Sequence, residues 1–264
     1  MTRWWLGALA AAAAELAFGS VCAGCEASPG LLCADCRDTL HQPAGLVPVD
    51  VGTILRQSTA SDGVDCRKIP VAAVAEYAGP ARGVVLSHKE RARLGLAQPL
   101  GAALATSVVA VLESGAGCSL CGERAVVLVP VPSTRRAVRR RGHDPLGRTS
   151  RRAAVLLRRV GYHCSVVLAL RHRRVVADQA GLDAAARWDN LASALDVRPA
   201  GAGLLAGRCV VLVDDVVTTG ATLSEAARAL RAGGIEPCSA AVIAATSRRG
   251  PSFGVRGTGR SSTG

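Results

Sequence analysis

The amino-acid sequence predicts an α/β fold: a parallel sheet flanked by helices, preceded by a small cysteine-rich module. From Val71 onward, short apolar runs alternate with longer Ala- and Arg-rich helical stretches, and such alternation is typical of a parallel sheet with helices on both faces. The apolar runs are continuous rather than alternating, as expected of strands buried on both faces. With 264 residues, 49% of them hydrophobic, the chain is long enough to bury a large core.

The first 18 residues are predicted to form an amphipathic or buried helix, because the Ala and Leu that dominate them favour helix. The segment also resembles an export signal, and that alternative stays open. Glu15 interrupts the apolar stretch and no A-x-A cleavage motif follows it, which argues against export. Because the apolar run is too short to cross a bilayer, we expect a cytoplasmic protein without stable membrane insertion.

Two C-x-x-C pairs follow this helix and are a candidate metal site. Their members are Cys22, Cys25, Cys33 and Cys36. Four thiolates in two such pairs can surround one tetrahedral Zn²⁺, and a site closed by four thiolates is structural rather than catalytic. The spacer between the pairs is shorter than the common ribbon spacing, so disulfides or a redox pair stay open as alternatives.

Composition shifts along the chain predict four regions. Residues 1–45 hold the N-terminal helix and the cysteine module, and residues 46–70, rich in Pro and Gly, are predicted to be a linker. Residues 71–247 are the predicted α/β domain. Residues 248–264 are rich in Arg, Gly and Ser without an apolar pattern, and are predicted to be disordered.

Four strands and four helices are predicted within the α/β domain. The strands are 125–131, 165–170, 208–213 and 238–245. The helices are 94–112, 148–159, 184–194 and 223–232. A third cysteine pair, Cys118 and Cys121, lies in a Gly-rich loop before the first of these strands, and its role is not assigned.

The charge balance leaves several function classes open. The formal net charge is +12, nearly all of it from arginine, which is typical of proteins that bind nucleic acid, membrane surfaces or phosphorylated ligands. It also follows from composition bias in a chain rich in Ala, Gly and Arg. Aromatic residues make up only 3%, so few platforms exist for stacking bases, which weakens a single-strand-binding interpretation.

The strongest chemical signal is the segment 209–222, CVVLVDDVVTTGAT. An apolar strand is followed by two adjacent carboxylates, Asp214 and Asp215, and a Thr/Gly turn then leads into a helix. Ligands of parallel sheets bind beyond the carboxyl ends of the strands, and small hydroxyl residues at a helix N-terminus offer donors to a phosphate. The pattern suits a sugar phosphate, with the ribose diol on the carboxylates. An acid pair that merely caps a strand–helix turn is the plainer alternative.

This segment resembles the 5-phosphoribosyl diphosphate (PRPP) motif of type I phosphoribosyltransferases. Further motifs narrow the resemblance to the ComF family, described as predicted amidophosphoribosyltransferases, which also carries an N-terminal cysteine cluster. They are Tyr77-Ala78-Gly79-Pro80 with Lys89, Val129-Pro130-Val131-Pro132 with Arg141-Gly142, and Gln179-Ala180-Gly181-Leu182 with Arg187 and Asn190. The sequence departs from the family at His143-Asp144-Pro145, where many members have an aromatic residue, Asn and Gln.

The resemblance implies a role for each residue of the motif. Asp214 and Asp215 would bind the ribose hydroxyls. Five residues of the next loop would hold the 5-phosphate: Thr218, Thr219, Gly220, Ala221 and Thr222. Candidate donors to the diphosphate, most of them in the loop after strand 125–131, are Lys89, Ser133, Thr134, Arg135 and Arg136. Solvated surface residues are the alternative for these basic side chains, and no side chain is assigned as a catalytic acid or base.

The implied reaction transfers the phosphoribosyl group from PRPP to a nitrogen nucleophile and releases diphosphate. Positioning and charge neutralisation would supply the catalysis, with Mg²⁺ held largely by substrate oxygens and water. The implied partners are PRPP and an unidentified amine or base acceptor, and a homodimer stays open. Two other classes remain: a non-catalytic PRPP or nucleotide sensor, and a competence-type DNA-uptake protein that binds single-stranded DNA.

Overall fold

The structure is a computed structural model that describes residues 20–49, 51, 69–115, 125–173 and 194–246. Several sequence predictions concern residues outside these ranges. They are the N-terminal helix 1–18, most of the linker 46–70, the pair Cys118 and Cys121, all but the last residue of helix 184–194, the motif 179–182 with Arg187 and Asn190, and the tail 248–264.

The described residues form eight strands and seven α-helices. The strands are β1 (Gly45–Leu46), β2 (Val71–Glu76), β3 (Val126–Pro130), β4 (Cys164–Val166), β5 (Leu170–His172), β6 (Leu195–Val197), β7 (Cys209–Val217) and β8 (Ser239–Ala245). The helices are α1 (Ala34–Asp38), α2 (Gly79–Glu90), α3 (Ala97–Glu113), α4 (Arg135–Arg141), α5 (Pro145–Arg159), α6 (Pro199–Leu205) and α7 (Ala221–Ala232).

Six of these strands form one sheet in the order β1-β2-β8-β7-β3-β4. Every pair from β2 to β4 is parallel, and β1 adds an antiparallel edge. The strands β5 and β6 pair with each other as a separate two-stranded antiparallel sheet. This mostly parallel sheet flanked by helices confirms the predicted fold class, and it places β7 at the centre, between β8 and β3.

The core lies on both faces of this sheet, because successive strand residues point to opposite sides. Along β7, Val211 and Val213 belong to the cluster packed against α2, α3 and α5. Val210 and Leu212 belong to the other cluster, which includes residues of α7. All four side chains are buried. Burial on both faces explains why the strands appear in the sequence as continuous apolar runs.

The helix α3 is the central helix on one face. The segment Leu94–Glu113, with a hydropathy of 1.6, is long and apolar enough to cross a membrane by length and composition. In this fold its Leu100, Leu104 and Val108 are buried in the core. The buried Ser107 hydroxyl donates to the carbonyl of Val242 in β8, at 2.8 Å. Those contacts are the ones expected of a core helix in a globular domain.

The prediction of one continuous strand over 165–170 is wrong. The chain forms β4 and β5 instead, which belong to different sheets. Between them, the Val167 N–H still donates to Leu128, while the carbonyl of Ala169 accepts from the Arg198 N–H. Apolar residues with no turn signal appear continuous in the sequence, although their hydrogen-bond partners change from one sheet to the other.

Sequence reasoning also missed the strands β1, β2 and β6 and the helices α1, α2, α4 and α6. The strand β2 is rich in alanine, which favours helix over strand, and its identity depends on pairing with β8. Both ends of the predicted linker 46–70 lie next to β2. Leu46 pairs with Ala72, and Val51 forms an isolated bridge with Ile69.

Candidate functional site

The two adjacent carboxylates lie within β7, near its carboxyl end. The strand continues to Val217, four residues beyond the predicted end, and Asp214 is in register with Val242 of β8. Both Asp side chains are half-buried. The Asp215 side chain lies on the α2 side of the sheet, beside His88 and Lys89, and it is close enough to the Asp214 side chain for the two carboxyl groups to interact.

Lys89, from the last turn of α2, forms an ion pair with Asp215. Its Nζ donates to Asp215 Oδ2 at 2.5 Å, and the two side chains are 32% and 17% exposed. The charge of Asp215 raises the pKa of Lys89 despite burial. Burial favours the neutral form of Asp215, but the Lys89 charge and hydrogen bonds outweigh it and lower the pKa of Asp215. The structure therefore places Lys89 on the acid pair, which sequence reasoning did not foresee.

The pKa of Asp214 shifts in the opposite direction to that of Asp215. Burial, followed by the neighbouring charge of Asp215, raises its pKa well above the ordinary value. Its Oδ1 accepts a hydrogen bond from the Asp215 backbone N–H at 2.8 Å. The pair thus offers one carboxylate held in its ionised form and one carboxyl group biased toward its protonated form. Such a pair can accept a hydrogen bond from one hydroxyl of a diol and donate one to the other.

The loop after β7 turns sharply into α7. Gly220 is the N-cap of that helix and has a φ of 81°, a left-handed conformation that favours glycine. The Ala221 N–H bonds Thr219 Oγ1 at 3.3 Å, and the Thr246 hydroxyl donates to the Thr218 carbonyl at 3.5 Å. The first turn of α7 therefore begins six residues after Asp215, with its backbone N–H groups directed toward the loop.

The loop between β3 and α4 lies at the same edge of the sheet. Pro130 is in register with Val213, and the Val131 N–H donates to the Val213 carbonyl at 3.0 Å. Thr134 caps α4, because its Oγ1 accepts from the Ala137 N–H at 3.2 Å, which leaves its own O–H free to donate. Of the other predicted diphosphate residues here, Ser133 is half-buried, while Arg135 and Arg136 are exposed.

The end of α2 is joined to α4 and α5 beside the acid pair. Arg141 of α4 donates to Glu90 at 2.5 Å. His88 is buried, with Nδ1 3.3 Å from the Arg93 carbonyl and Nε2 3.4 Å from the Pro145 carbonyl. Burial is the main reason that the pKa of His88 is lowered. These contacts fix the residue that precedes Lys89. Apart from a histidine next to the lysine, no feature of the sequence indicates them.

The four cysteines of the two C-x-x-C pairs come together. Their sulfur atoms all lie within 4.8 Å of one another, with Cys22 Sγ 3.5 Å and Cys25 Sγ 3.9 Å from Cys33 Sγ. Zinc–sulfur bonds of about 2.3 Å in a tetrahedron place sulfur atoms roughly 3.8 Å apart, so the group could hold a zinc ion. Burial raises the pKa of Cys22, but backbone N–H donors outweigh it and bring the value to about 6, which favours the thiolate.

This cysteine module packs directly on α2. A Cβ on Gly83 would lie 2.8 Å from the Ala23 carbonyl and 2.9 Å from the Gly24 carbonyl, so the contact requires glycine. The buried Ser87 hydroxyl donates to the same Ala23 carbonyl at 3.5 Å. The module therefore supports the helix that carries Lys89.

Comparison with known protein families gives one match. A family described as "Phosphoribosyl transferase domain" matches residues 147–253. The matched segment contains the acid pair and the loop that follows, but neither the cysteine module nor α2. It supports the type I phosphoribosyltransferase superfamily and a transferase that uses PRPP, and it leaves the acceptor unspecified. No curated protein matches the chain significantly.

Proposed function

We propose that this chain is a ComF-type phosphoribosyltransferase, which binds Mg²⁺–PRPP and transfers the phosphoribosyl group to a nitrogen nucleophile. The observation that carries the proposal is the arrangement at the carboxyl end of β7. Asp214 and Asp215, the latter paired with Lys89, are followed five residues later by the left-handed Gly220 and the N-terminus of α7. The family match to residues 147–253 supports it.

The proposed ribose contacts use both carboxyl groups of the acid pair. Asp215, kept ionised by Lys89, would accept a hydrogen bond from one ribose hydroxyl. Asp214 would bond the other hydroxyl of the diol, and its raised pKa favours donation there. The 5-phosphate would lie against the first turn of α7, where backbone N–H groups and the hydroxyls of Thr218, Thr219 and Thr222 are available.

The diphosphate would lie between the β3–α4 loop and Lys89. Ser133 and Thr134 would donate from the loop, and Arg135 and Arg136 are exposed and able to approach a bound phosphate. Once Asp215 bonds the ribose, the Lys89 ammonium would be shared between that carboxylate and the diphosphate. Mg²⁺, when bound, would be held largely by substrate oxygens and water and would neutralise charge on the diphosphate.

In the reaction the bond from C1 to the diphosphate oxygen breaks, the bond from the acceptor nitrogen to C1 forms, and the nitrogen releases its proton to water. Positive charge develops on the sugar ring and negative charge on the leaving diphosphate. The side chains described above would act by positioning PRPP and stabilising that leaving charge.

The test is calorimetric titration of Mg²⁺–PRPP into the wild type and into the Asp214→Asn/Asp215→Asn double variant. We expect saturable binding by the wild type and its loss in the double variant. Glu236→Gln, at an exposed carboxylate paired with Arg231, is the matched control and should bind like the wild type. No binding by well-folded wild type would refute the proposal. Diphosphate release in a screen of amines and bases would then identify the acceptor.

A nucleic-acid-binding role is the second candidate, and a non-catalytic PRPP or nucleotide sensor is the third. The supporting observation is the helix α4, on which Arg135, Arg136, Arg139 and Arg140 are exposed. Salt-dependent binding of single-stranded DNA that survives the Asp214/Asp215 double substitution would favour this role. Mg²⁺–PRPP binding without diphosphate release, for any acceptor, would favour the sensor.

A further inference from the structure

His172, the last residue of β5, contacts the β3–α4 loop. Its Nε2 lies 2.9 Å from the carbonyl oxygen of Pro132. A carbonyl oxygen can only accept a hydrogen bond, so Nε2 must carry the proton and donate. The other ring nitrogen, Nδ1, is buried and makes no hydrogen bond to any residue that the structure describes. The ring is therefore held in the β3–α4 loop region by a single directed hydrogen bond.

This hydrogen bond orients the whole peptide unit between Pro132 and Ser133, and not only the Pro132 carbonyl oxygen. The Pro132 carbonyl belongs to the planar peptide unit that joins Pro132 to Ser133, and the described residues contain no cis peptide bond. In a trans unit the N–H points opposite to the C=O. The Ser133 N–H is consequently directed away from His172, and it cannot rotate without breaking the hydrogen bond to the ring.

The strand that carries His172 is held in place, because its partner strand β6 is hydrogen-bonded to α7. The Leu195 N–H donates to Glu225 Oε1 at 2.9 Å, and Arg228 donates to the Leu195 carbonyl at 3.0 Å. Glu225 is 1% exposed and also pairs with Arg228 at 2.7 Å. Both side chains belong to α7, so the β5–β6 sheet links that helix to the β3–α4 loop through His172.

We propose that His172 is a positioning residue for diphosphate binding. It fixes the Pro132–Ser133 peptide unit so that the loop binds the diphosphate of PRPP without first having to be ordered. The inference rests on the proposed function, because it assigns the β3–α4 loop to the diphosphate. Ribose 5-phosphate lacks the diphosphate and would contact only the acid pair and the first turn of α7. Its binding would therefore not depend on His172.

The first test compares His172→Leu with His172→Gln. Leucine removes the donor, whereas the Gln amide nitrogen can reach the position of Nε2 and donate to Pro132. We expect His172→Leu to weaken Mg²⁺–PRPP binding about tenfold, the value of one hydrogen bond. Ribose 5-phosphate binding should stay unchanged, and His172→Gln should restore most of the PRPP affinity. His163→Leu, at an exposed histidine, is the control and should have no effect.

The second measurement needs no ligand. Hydrogen–deuterium exchange of the backbone amides in residues 131–138 should be faster in His172→Leu than in the wild type or in His172→Gln. Unchanged PRPP affinity or unchanged exchange in His172→Leu would overturn the proposal, and so would an equal loss of ribose 5-phosphate binding. If the wild type binds neither ligand, the proposed function is refuted, and the role of His172 in diphosphate binding is refuted with it. The exchange rates would still decide whether His172 fixes the loop.

Discussion

Substituting Lys89 by methionine removes the cation that stabilises Asp215, while it keeps most of the apolar stem. A charge-assisted hydrogen bond contributes about 1.5–3 kcal/mol, and loss of one partner from a fully buried ion pair costs about 3–5 kcal/mol. The Lys89 and Asp215 side chains are 32% and 17% exposed, so water solvates part of the remaining charge. We therefore expect the free energy of unfolding to fall by about 2 kcal/mol, toward the lower of those ranges.

The effect should depend on pH in a defined direction. The pKa of Asp215 is lowered in the fold, so its contribution to stability is complete above the unfolded value of about 3.9 and is lost as the pH falls further. The pKa of Lys89 is raised, so its contribution is complete below about 10.4 and is lost at higher pH. The difference between wild type and Lys89→Met should be largest between about pH 5 and pH 10.

The assay is urea unfolding at pH 7 and at the acidic limit of folding, supported by thermal melts. A loss of about 2 kcal/mol corresponds to a fall in Tm of about 4–8 °C for a chain of this size. Arg91→Met is the matched control, because Arg91 pairs with Glu26 at 2.8 Å while both side chains are more than half exposed; it should cost less than about 1 kcal/mol. Adding Asp215→Asn to Lys89→Met should recover stability. Equal losses in the Lys89 and Arg91 variants, or a Lys89 effect that grows as the pH falls, would refute the reasoning.

Two further substitutions test the turn and the cysteine module. Gly220→Ala forces alanine to a φ of 81° and should lower the free energy of unfolding by about 1–2 kcal/mol and weaken Mg²⁺–PRPP binding. Gly203→Ala, within α6 and with open space around the added methyl group, should be neutral or slightly stabilising in the same urea titration. For the module, atomic spectroscopy should find one zinc per chain, lost in Cys36→Ser together with a lower Tm. A metal-free wild type with free thiols would contradict that expectation.

The sequence by itself determined the fold class and the position of its main chemical signal. The strand, the acid pair, the turn and the helix of residues 209–222 are contiguous, so each is recognised from its neighbours. The buried strands β3, β7 and β8 likewise appear as apolar runs, because a strand covered on both faces needs apolar residues at every position. The ligand contacts assigned to the acid pair and the phosphate loop stay predictions.

Only the tertiary structure decided how distant residues meet. Lys89 and Asp215 are 126 positions apart, and the sequence predicted a diphosphate contact for the lysine rather than an ion pair. The hydrogen bond between His172 and Pro132 spans 40 positions. Local propensity also missed the alanine-rich β2, which becomes a strand through pairing with β8. The physical reason is common to all three: hydrogen bonds and ion pairs form between groups that the fold brings together, and the identity of a single residue does not specify its partner.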